Sequence, residues 1–262
     1  MTLNQWLERK RRRALTAWAG RFRALPMPPG PLGCLRIGLF CDFEGHFAGR
    51  DADRYADRGT DRLVSMLARC GLEITFNVVA DLCRSHPDRV RRVAAAGHEI
   101  ACHGWKHERP RGLDAPGTDR VLSQAAACFG DLGLSPIGFR SPESAWSVPL
   151  VRRLARFGYR WNAEGERVSR RYRIASDLVR LPIRTDDWDL ADGSGRAADV
   201  IAKWRRFAEA GLADGSGLLC LGVHEWIIGC DDAFADGLAA LLDEWQTRRN
   251  VRLCTLRELA EA

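Results

Sequence analysis

Short apolar, β-branched runs alternate with stretches of helical periodicity from Cys34 to the C-terminus. The apolar runs predict eight strands, at residues 35–43, 74–79, 99–102, 137–139, 159–161, 178–183, 218–223 and 251–254. Helical patterns lie between them, near residues 57–70, 87–97, 118–129, 148–157, 197–210 and 233–248. Strand–helix alternation repeated this often predicts an α/β fold with a parallel sheet, and at this length a closed or nearly closed barrel.

The first 25 residues follow a different pattern. Apolar residues recur there at three- and four-residue steps with arginines largely between them, namely Leu3, Trp6, Leu7, Leu15, Trp18, Phe22 and Leu25. This pattern predicts a basic amphipathic helix with aromatic residues on its apolar side. The proline- and glycine-rich residues 26–33 end the helix and form a linker. We therefore divide the chain into an N-terminal segment, 1–30, and a single domain, 31–262.

The net positive charge of the protein comes entirely from that segment. The chain has 40 basic and 34 acidic residues, a net charge of +6, and residues 1–25 hold seven basic residues and one acidic residue. The remainder is neutral, which argues against nucleic acid as a partner of the domain. Three interpretations of the segment stay open: a helix packed on the domain, docking on an anionic membrane surface, or binding of nucleic-acid phosphates by the basic run, the partner that we expect least. We favour the membrane surface.

Composition narrows the class of protein further. With 46 % apolar and 28 % charged residues in a chain of 262, the sequence is that of one globular domain and not of a disordered protein. We find no run of about 20 apolar residues for a membrane span, and no apolar core behind the basic N-terminus for a secretory signal. Nine scattered cysteines without a CxxC motif indicate thiols in a reducing compartment. We therefore expect a cytoplasmic protein.

Reactive side chains follow the predicted strands with unusual regularity. In parallel barrels, functional groups collect at the carboxyl ends of the strands. Here such groups lie at or directly after the ends of the first, third, fourth, sixth and seventh strands: Asp42, Glu44, His46, His103, His107, Arg140, Asp186, Asp187 and His224. Four of the six histidines in the chain are in this set. The clustering argues for an enzyme.

Two pairs of these residues have the spacing of metal ligands. His103 and His107 are four residues apart and can share one ion, and Asp42 and Glu44, two apart on a strand, project to the same side. Two histidines and one carboxylate with an open position are typical of a hydrolytic zinc-type site. The alternatives are solvated loop histidines and carboxylates that cap the turn before Gly45.

Three stretches of the sequence resemble a known family. They are GHEIACHGWKH at 97–107, HPDRVRRVAAAG just before it, and TLRELAEA at the C-terminus. Together they resemble the NodB-like polysaccharide deacetylases, carbohydrate esterase family four, and the resemblance runs from about Leu35 to the C-terminus. It implies a distorted (β/α) barrel of the NodB-homology type.

The resemblance also implies roles for individual residues. In CDFE at 41–44, Asp42 matches the catalytic base and Glu44 a metal ligand, although the spaced form of this motif leaves the reverse assignment open. His103 and His107 match the two histidine ligands of one divalent metal ion, for which we expect zinc. Arg140, in Arg-Ser-Pro, matches the arginine that orients the base.

Further motifs match in part. Glu143 stands where the family usually has a tyrosine, and its backbone N–H is expected to face the oxyanion. Asp187 and Trp188 resemble the fourth motif. His224 matches the histidine that ends the fifth and serves as general acid, tuned by Asp187. Three histidines have no counterpart in the family: His46, His86 and His98.

The expected reaction is hydrolysis of an N-acetyl or N-formyl group on an amino sugar. Indoles near the motifs are candidates for stacking on sugar rings, with core packing as the alternative: Trp105, Trp146, Trp188 and Trp226. A cytoplasmic enzyme with a membrane-docking segment favours a lipid-linked or envelope-glycan precursor on the cytoplasmic side. The alternatives are a deacylase of a small soluble amino sugar or secondary metabolite, and a non-catalytic sugar- or metal-binding module.

Overall fold

The alternation of apolar runs and helical stretches produces a curled sheet with helices around it. The structure is a computed structural model that describes residues 10, 21–22, 25, 34–49, 51–166, 168–175, 177–215 and 217–262. Most of the predicted amphipathic helix at 1–25 and all of the linker at 26–33 lie outside these residues, so both stay predictions.

The described ranges contain nine strands and ten α-helices. The strands are β1 Leu35–Phe43, β2 Thr75–Val78, β3 Glu99–Cys102, β4 Gly138–Arg140, β5 Trp161–Gly165, β6 Tyr172–Ala175, β7 Leu178–Ile183, β8 Leu218–His224 and β9 Val251–Cys254. The helices are α1 Asp53–Cys70, α2 Leu82–Ser85, α3 Pro87–Ala95, α4 Ala115–Gly130, α5 Val148–Arg156, α6 Trp188–Ala191, α7 Ala197–Asp214, α8 Glu225–Cys230, α9 Asp232–Thr247 and α10 Leu256–Glu261. Three 3₁₀ turns occur at Gly45–Ala48, Pro110–Gly112 and Pro142–Ser144.

The strands form a barrel that is closed by backbone hydrogen bonds. Their order is β6-β7-β5-β4-β3-β2-β1-β8, with β9 beside β1, and the pairs are parallel except for β6 with β7. Beyond β7, the Arg184 N–H donates to Cys220 O at 3.0 Å, and the Gly222 N–H donates to Thr185 O at 3.1 Å. These bonds join the two ends of the sheet. The predicted distorted (β/α) barrel is confirmed.

Buried strands and close helix contacts position the rim of the barrel at which the parallel strands end. Apart from Arg36, every residue of β1 is buried, as is every residue of β8, which matches the continuous apolar runs that predicted them. Next to them, α1 crosses α8 at close range, since a Cβ on Gly59 would lie 1.7 Å from the Glu225 carbonyl oxygen. Glycine is therefore required at position 59, and this contact fixes the start of α8 beside the end of β1.

Several short elements differ from the sequence predictions. The strand predicted at 159–161 starts at Trp161 and continues to Gly165, because Tyr159 packs edge-on against Phe139 in the core before the strand begins. The patterns also missed β6, α2, α6, α8 and α10, which have four to six residues each and show too few periods to detect. No helix in the described ranges has both the length and the apolarity that a membrane crossing requires.

Candidate active site

The carboxyl ends of β1, β3 and β8 meet at one rim of the barrel. The register of the parallel pairs places Asp42 beside Asn77 on one side and beside His224 on the other. Glu44 follows β1, and His103 follows β3. Because parallel strands end at the same edge of a sheet, residues distant in sequence come together here.

Glu44 lies at the centre of a group of possible metal ligands. Its Oε1 atom is 2.9 Å from His107 Nε2 and 3.3 Å from His103 Nε2. Burial alone would raise the pKa of Glu44, but the nearby His224 and the hydrogen bonds with the other two imidazoles hold it well below its ordinary value. The carboxylate is therefore ionised at neutral pH.

The donor set fits a divalent transition ion. His103 Nδ1 lies 2.9 Å from the carbonyl oxygen of Arg140, which can only accept, so Nδ1 keeps its proton, and Nε2 is the atom that would give up its proton and its bond to Glu44 to bind a metal. One ligand atom from each of Glu44, His103 and His107 lies within 4.8 Å of the others. Two imidazole nitrogens and one carboxylate oxygen in such an arrangement suit zinc and similar ions. An overlapping group, Asp42, Glu44 and His224, meets the same distance criterion.

Asp42 is held by two neighbours in a buried position. Arg140 Nε donates to Oδ2 at 2.8 Å and Oδ1 at 3.0 Å, and Asn77 Nδ2 donates to Oδ1 at 2.8 Å. Burial would raise the pKa of this carboxyl group, whereas the guanidinium of Arg140, with His103 and His224, lowers it below its ordinary value. Asp42 is thus an oriented carboxylate, which is the state that a general base requires.

His224, at the end of the neighbouring strand β8, faces the same space. Its Nδ1 lies 2.6 Å from Asp187 Oδ1, and its backbone N–H donates to Asp187 Oδ2 at 2.9 Å. Its Nε2 is 3.8 Å from Glu44 Oε1 and 4.0 Å from Asp42 Oδ2. Burial would lower the pKa of His224, but the Asp187 carboxylate and the other two acids raise it well above its ordinary value. Burial raises the pKa of Asp187 itself to about 6, against the effect of His224.

Glu225 was missed in the sequence analysis. Its buried carboxylate accepts hydrogen bonds from the backbone N–H groups of Glu44, at 3.1 and 3.2 Å, and Gly45, at 2.6 Å. Burial raises the pKa of Glu225 to about 7. It fixes the backbone that carries Glu44. An acidic residue directly after a strand-end histidine, in an apolar stretch, was the sequence pattern that could have indicated it.

The turn after β4 is held in a strained conformation beside Arg140. Glu143 and Ser144 have φ angles of 53° and 51°, in the left-handed region. Ser144 Oγ stabilises this turn by accepting from Arg140 Nη1 and from the Gly165 N–H, both at 2.8 Å. The Glu143 side chain pairs with Arg109 at 2.6 Å. Across the turn, Arg140 Nη2 lies 3.9 Å from Asp186.

The four candidate indoles differ in accessibility. Trp188 is 45 % exposed, meets Trp226 edge-to-face at 6.3 Å, and lies 5.5 Å from the His224 ring. Trp105 is partly buried, with Lys106 Nζ 4.8 Å above its ring. Trp146 is only 1 % exposed and packs against the Arg180 guanidinium at 4.1 Å. The prediction that Trp146 binds substrate is therefore wrong, because no face of its indole is open; it is a core residue.

Comparisons with known proteins show which proteins this chain is similar to. Residues 51–161 match the family model described as polysaccharide deacetylase. A peptidoglycan deacetylase of Helicobacter pylori is 24 % identical over 153 residues, 58 % of this chain and 50 % of its own length. A chitooligosaccharide deacetylase of Rhizobium leguminosarum bv. trifolii is 28 % identical over 127 residues, 48 % of this chain and 52 % of its own. The chain thus spans about half the length of these curated relatives.

A solved structure extends the similarity to nearly the whole chain. A Mycobacterium smegmatis protein assigned to the polysaccharide deacetylases has a TM-score of 0.82 and 25 % identity, and the match covers 92 % of this chain and 94 % of that one. The region matched by the family model includes His103, His107 and Arg140, while the residues at the ends of β1 and β8 lie outside it. Motifs, relatives and fold coincide, and the resemblance of this chain to the NodB-like polysaccharide deacetylases is confirmed.

Proposed function

We propose that this protein is a hydrolase that removes an N-acetyl or N-formyl group from an amino sugar and depends on one divalent metal ion, zinc by preference. The observation that carries the proposal is the pairing of Asp42 with Arg140 and of His224 with Asp187 on either side of Glu44. A pure binding site has no need for an oriented base and a protonated acid around a ligand-type cluster.

The metal would be held by Glu44, His103 and His107, whose donor atoms converge. A divalent ion there supplies Lewis acidity, which polarises an acyl carbonyl and lowers the pKa of a water molecule. Asp42, ionised and oriented by Arg140, accepts the proton of the attacking water. Arg140 also raises the population of the ionised base by its charge.

His224 supplies the proton that the departing amine needs. Its raised pKa keeps the imidazole protonated at neutral pH, and the bond between Nδ1 and Asp187 leaves Nε2 directed at Asp42 and Glu44. A proton on Nε2 therefore points into the reaction space. Donation from Nε2 releases the amino sugar as a neutral amine.

The remaining parts of the site bind the substrate. The strained backbone at Glu143 would present its N–H to the oxyanion of the tetrahedral intermediate. The exposed Trp188 and the half-buried Trp226 form an aromatic corner beside His224, which suits the C–H face of a sugar ring. Trp105 contributes at most its exposed edge.

We place the substrate among lipid-linked or envelope-glycan precursors on the cytoplasmic side of a membrane, with residues 1–25 as the docking segment. Support comes from the concentration of the net charge of +6 in residues 1–25 and from the aromatic residues between the basic ones. The protein would then be cytoplasmic and peripheral at the inner face of the membrane.

Acyl release from a substrate panel tests the proposal. The panel contains an N-acetylated sugar oligomer, a free N-acetyl amino sugar, its N-formyl analogue, and a lipid-linked N-acetyl amino sugar in anionic vesicles. We expect zinc-dependent acetate or formate release, with kcat/KM on the lipid-linked substrate at least ~10-fold higher than on the free sugar. Equal kcat/KM on the free sugar would favour the soluble-substrate enzyme. Sugar binding without acyl release would establish a non-catalytic module.

A further inference from the structure

A second cluster of ligand-type side chains lies on the turn that follows β1, outside the candidate active site. His46, Asp53 and His86 each offer one donor atom, and these three atoms lie within 4.8 Å of one another. His46 is in the 3₁₀ turn, Asp53 is the first residue of α1, and His86 directly precedes α3. Three elements thus direct donors at one point, and the family resemblance gave the two histidines no role.

The hydrogen bonds of His86 leave one ring nitrogen free. Ser85 Oγ donates its hydrogen to Asp81 O at 3.0 Å and lies 3.1 Å from His86 Nδ1. A hydroxyl has a single hydrogen, so Oγ accepts from Nδ1, and the proton of the neutral ring is on that atom. Nε2 then carries a lone pair, and it faces Asp53 Oδ2 at 3.9 Å.

Asp53 also directs one carboxylate oxygen at this point, because Arg89 holds its other oxygen. The buried Arg89 donates from Nη1 to Asp53 Oδ1 at 3.1 Å, and its Nε is fixed by Asp57 at 2.9 Å. Oδ1 is therefore occupied, and Oδ2 is left facing His86. Two acceptors 3.9 Å apart cannot bond to each other, whereas two ligand atoms that are each ~2.1 Å from a shared ion can be up to ~4.2 Å apart.

We propose that His46, Asp53 and His86 form a second binding site for a divalent transition ion of the zinc type. Two imidazoles and one carboxylate select such ions over magnesium or calcium, which prefer oxygen ligands. A bound ion would join the turn after β1 to the starts of α1 and α3. Because Glu44 immediately precedes that turn, the ion would also hold in place the backbone that carries Glu44.

Zinc titration of the untagged, chelator-treated protein tests the second site. The wild type binds two equivalents, the H46A/H86A variant binds one, and the H103A/H107A variant retains one. The matched control, Asp57→Asn, changes a neighbour of Arg89 that offers no ligand to the cluster and keeps two equivalents. A wild type that binds one equivalent, or an H46A/H86A variant that still binds two, overturns the proposal.

A stability measurement separates loss of the site from loss of the fold. Circular dichroism checks that each variant is folded, and Asp53→Asn replaces H46A/H86A if that variant is not. Zinc raises the Tm of the H103A/H107A variant, which has only the second site, because an ion that binds the native state stabilises it. The same addition leaves the Tm of the H46A/H86A/H103A/H107A variant unchanged. An equal rise of Tm in both variants contradicts the proposal.

Discussion

The Nε atom of Arg140 lies within 3.0 Å of both carboxylate oxygens of Asp42, in a place where neither residue is more than 3 % exposed. The two residues are 98 positions apart in sequence and come from the ends of β1 and β4. A buried carboxylate without this partner would lose part of its charge, because burial favours the neutral acid. The pair therefore fixes both the ionisation and the direction of the proposed base.

Replacement of Asp42 by Asn tests that role. We expect kcat to fall by on the order of 10²-fold or more, since the amide cannot take the proton of the attacking water. Zinc stoichiometry should be unchanged, because the best ligands are elsewhere. The control is Asp88→Asn, which removes an exposed carboxylate at the start of α3. Wild-type turnover of the Asp42→Asn variant would exclude this residue as the base, and loss of zinc would exchange its role with that of Glu44.

His224 and Asp187 give a prediction about pH dependence. The Asp187 carboxylate is the main cause that raises the pKa of His224 against burial, so its removal in Asp187→Asn must lower that pKa. The alkaline limb of the kcat/KM profile reports loss of the acid, and it should therefore move to lower pH. His224→Ala should lower kcat by on the order of 10²-fold. An alkaline limb that stays in place in Asp187→Asn would separate His224 from proton donation.

The proposed metal centre predicts that replacing His103 weakens zinc binding, whereas replacing His98 does not. His103→Ala removes a ligand whose Nε2 is 3.3 Å from Glu44, and we expect zinc affinity at this site to fall by at least ~10-fold together with acyl release. His98→Ala is the matched control, because His98 is also buried but packs against Phe76 at 5.1 Å. Equal zinc affinity in the two variants would remove His103 from the ligand set.

The ends of the strands could be predicted from the sequence because the strands themselves are continuous apolar runs. Asp42, His103 and His224 lie at or directly after the ends of such runs, so their meeting at one rim follows from the parallel sheet. Glu225 was not readable in this way. Its contact with Glu44 joins residues 181 positions apart, and it depends on how closely α8 approaches α1.

The accessibility of an indole depends on packing that the sequence pattern does not contain. Trp146 and Trp188 lie in or beside candidate motifs, and both were predicted to bind sugar. Arg180, which projects from β7, covers Trp146, whereas Trp188 begins a four-residue helix at the rim and stays exposed. The difference arises from tertiary contacts alone.

Glu164 predicts a pH-dependent stability. Its Oε1 accepts from Ser141 Oγ at 2.6 Å and Asn162 Nδ2 at 2.8 Å, while Oε2 is buried with no hydrogen-bond partner among the described residues. Burial raises its pKa from 4.5 to about 6, although Arg180 and Arg140 oppose this. A raised folded-state pKa gives stability that is complete below the unfolded value, 4.5, and is lost as the pH rises through about 6.

The variant Glu164→Gln lacks this titration. Each pKa unit corresponds to about 1.4 kcal/mol, so the unfolding free energy of the wild type should fall by about 2 kcal/mol relative to the variant between roughly pH 4.5 and pH 7.5. Urea unfolding of both proteins at the two pH values measures the difference. Parallel pH profiles of wild type and variant would show that folding does not raise the pKa of Glu164.

The last prediction concerns the N-terminal segment, and two contacts with the barrel decide where a truncation should end. Phe22 stacks on Tyr172 at 5.9 Å, and the Leu25 N–H donates to Arg171 O at 3.1 Å, so the end of the segment is joined to the barrel. A truncation that removes residues 1–20 keeps these contacts and deletes the basic run at 9–13. It therefore separates recruitment from folding, which a longer deletion would not do.

Each basic residue near an anionic leaflet contributes about 1 kcal/mol, so the five in this run are sufficient for reversible binding. We expect the full-length protein to sediment with anionic vesicles and to be released by salt, because the attraction is screened over about 8–10 Å. The truncated protein should stay in the supernatant, with an unchanged Tm and unchanged activity on a small soluble substrate. A helix packed on the barrel predicts the reverse, a lower Tm after truncation and no vesicle binding by the full-length protein. Equal sedimentation of both proteins would show that residues 1–20 do not recruit the enzyme.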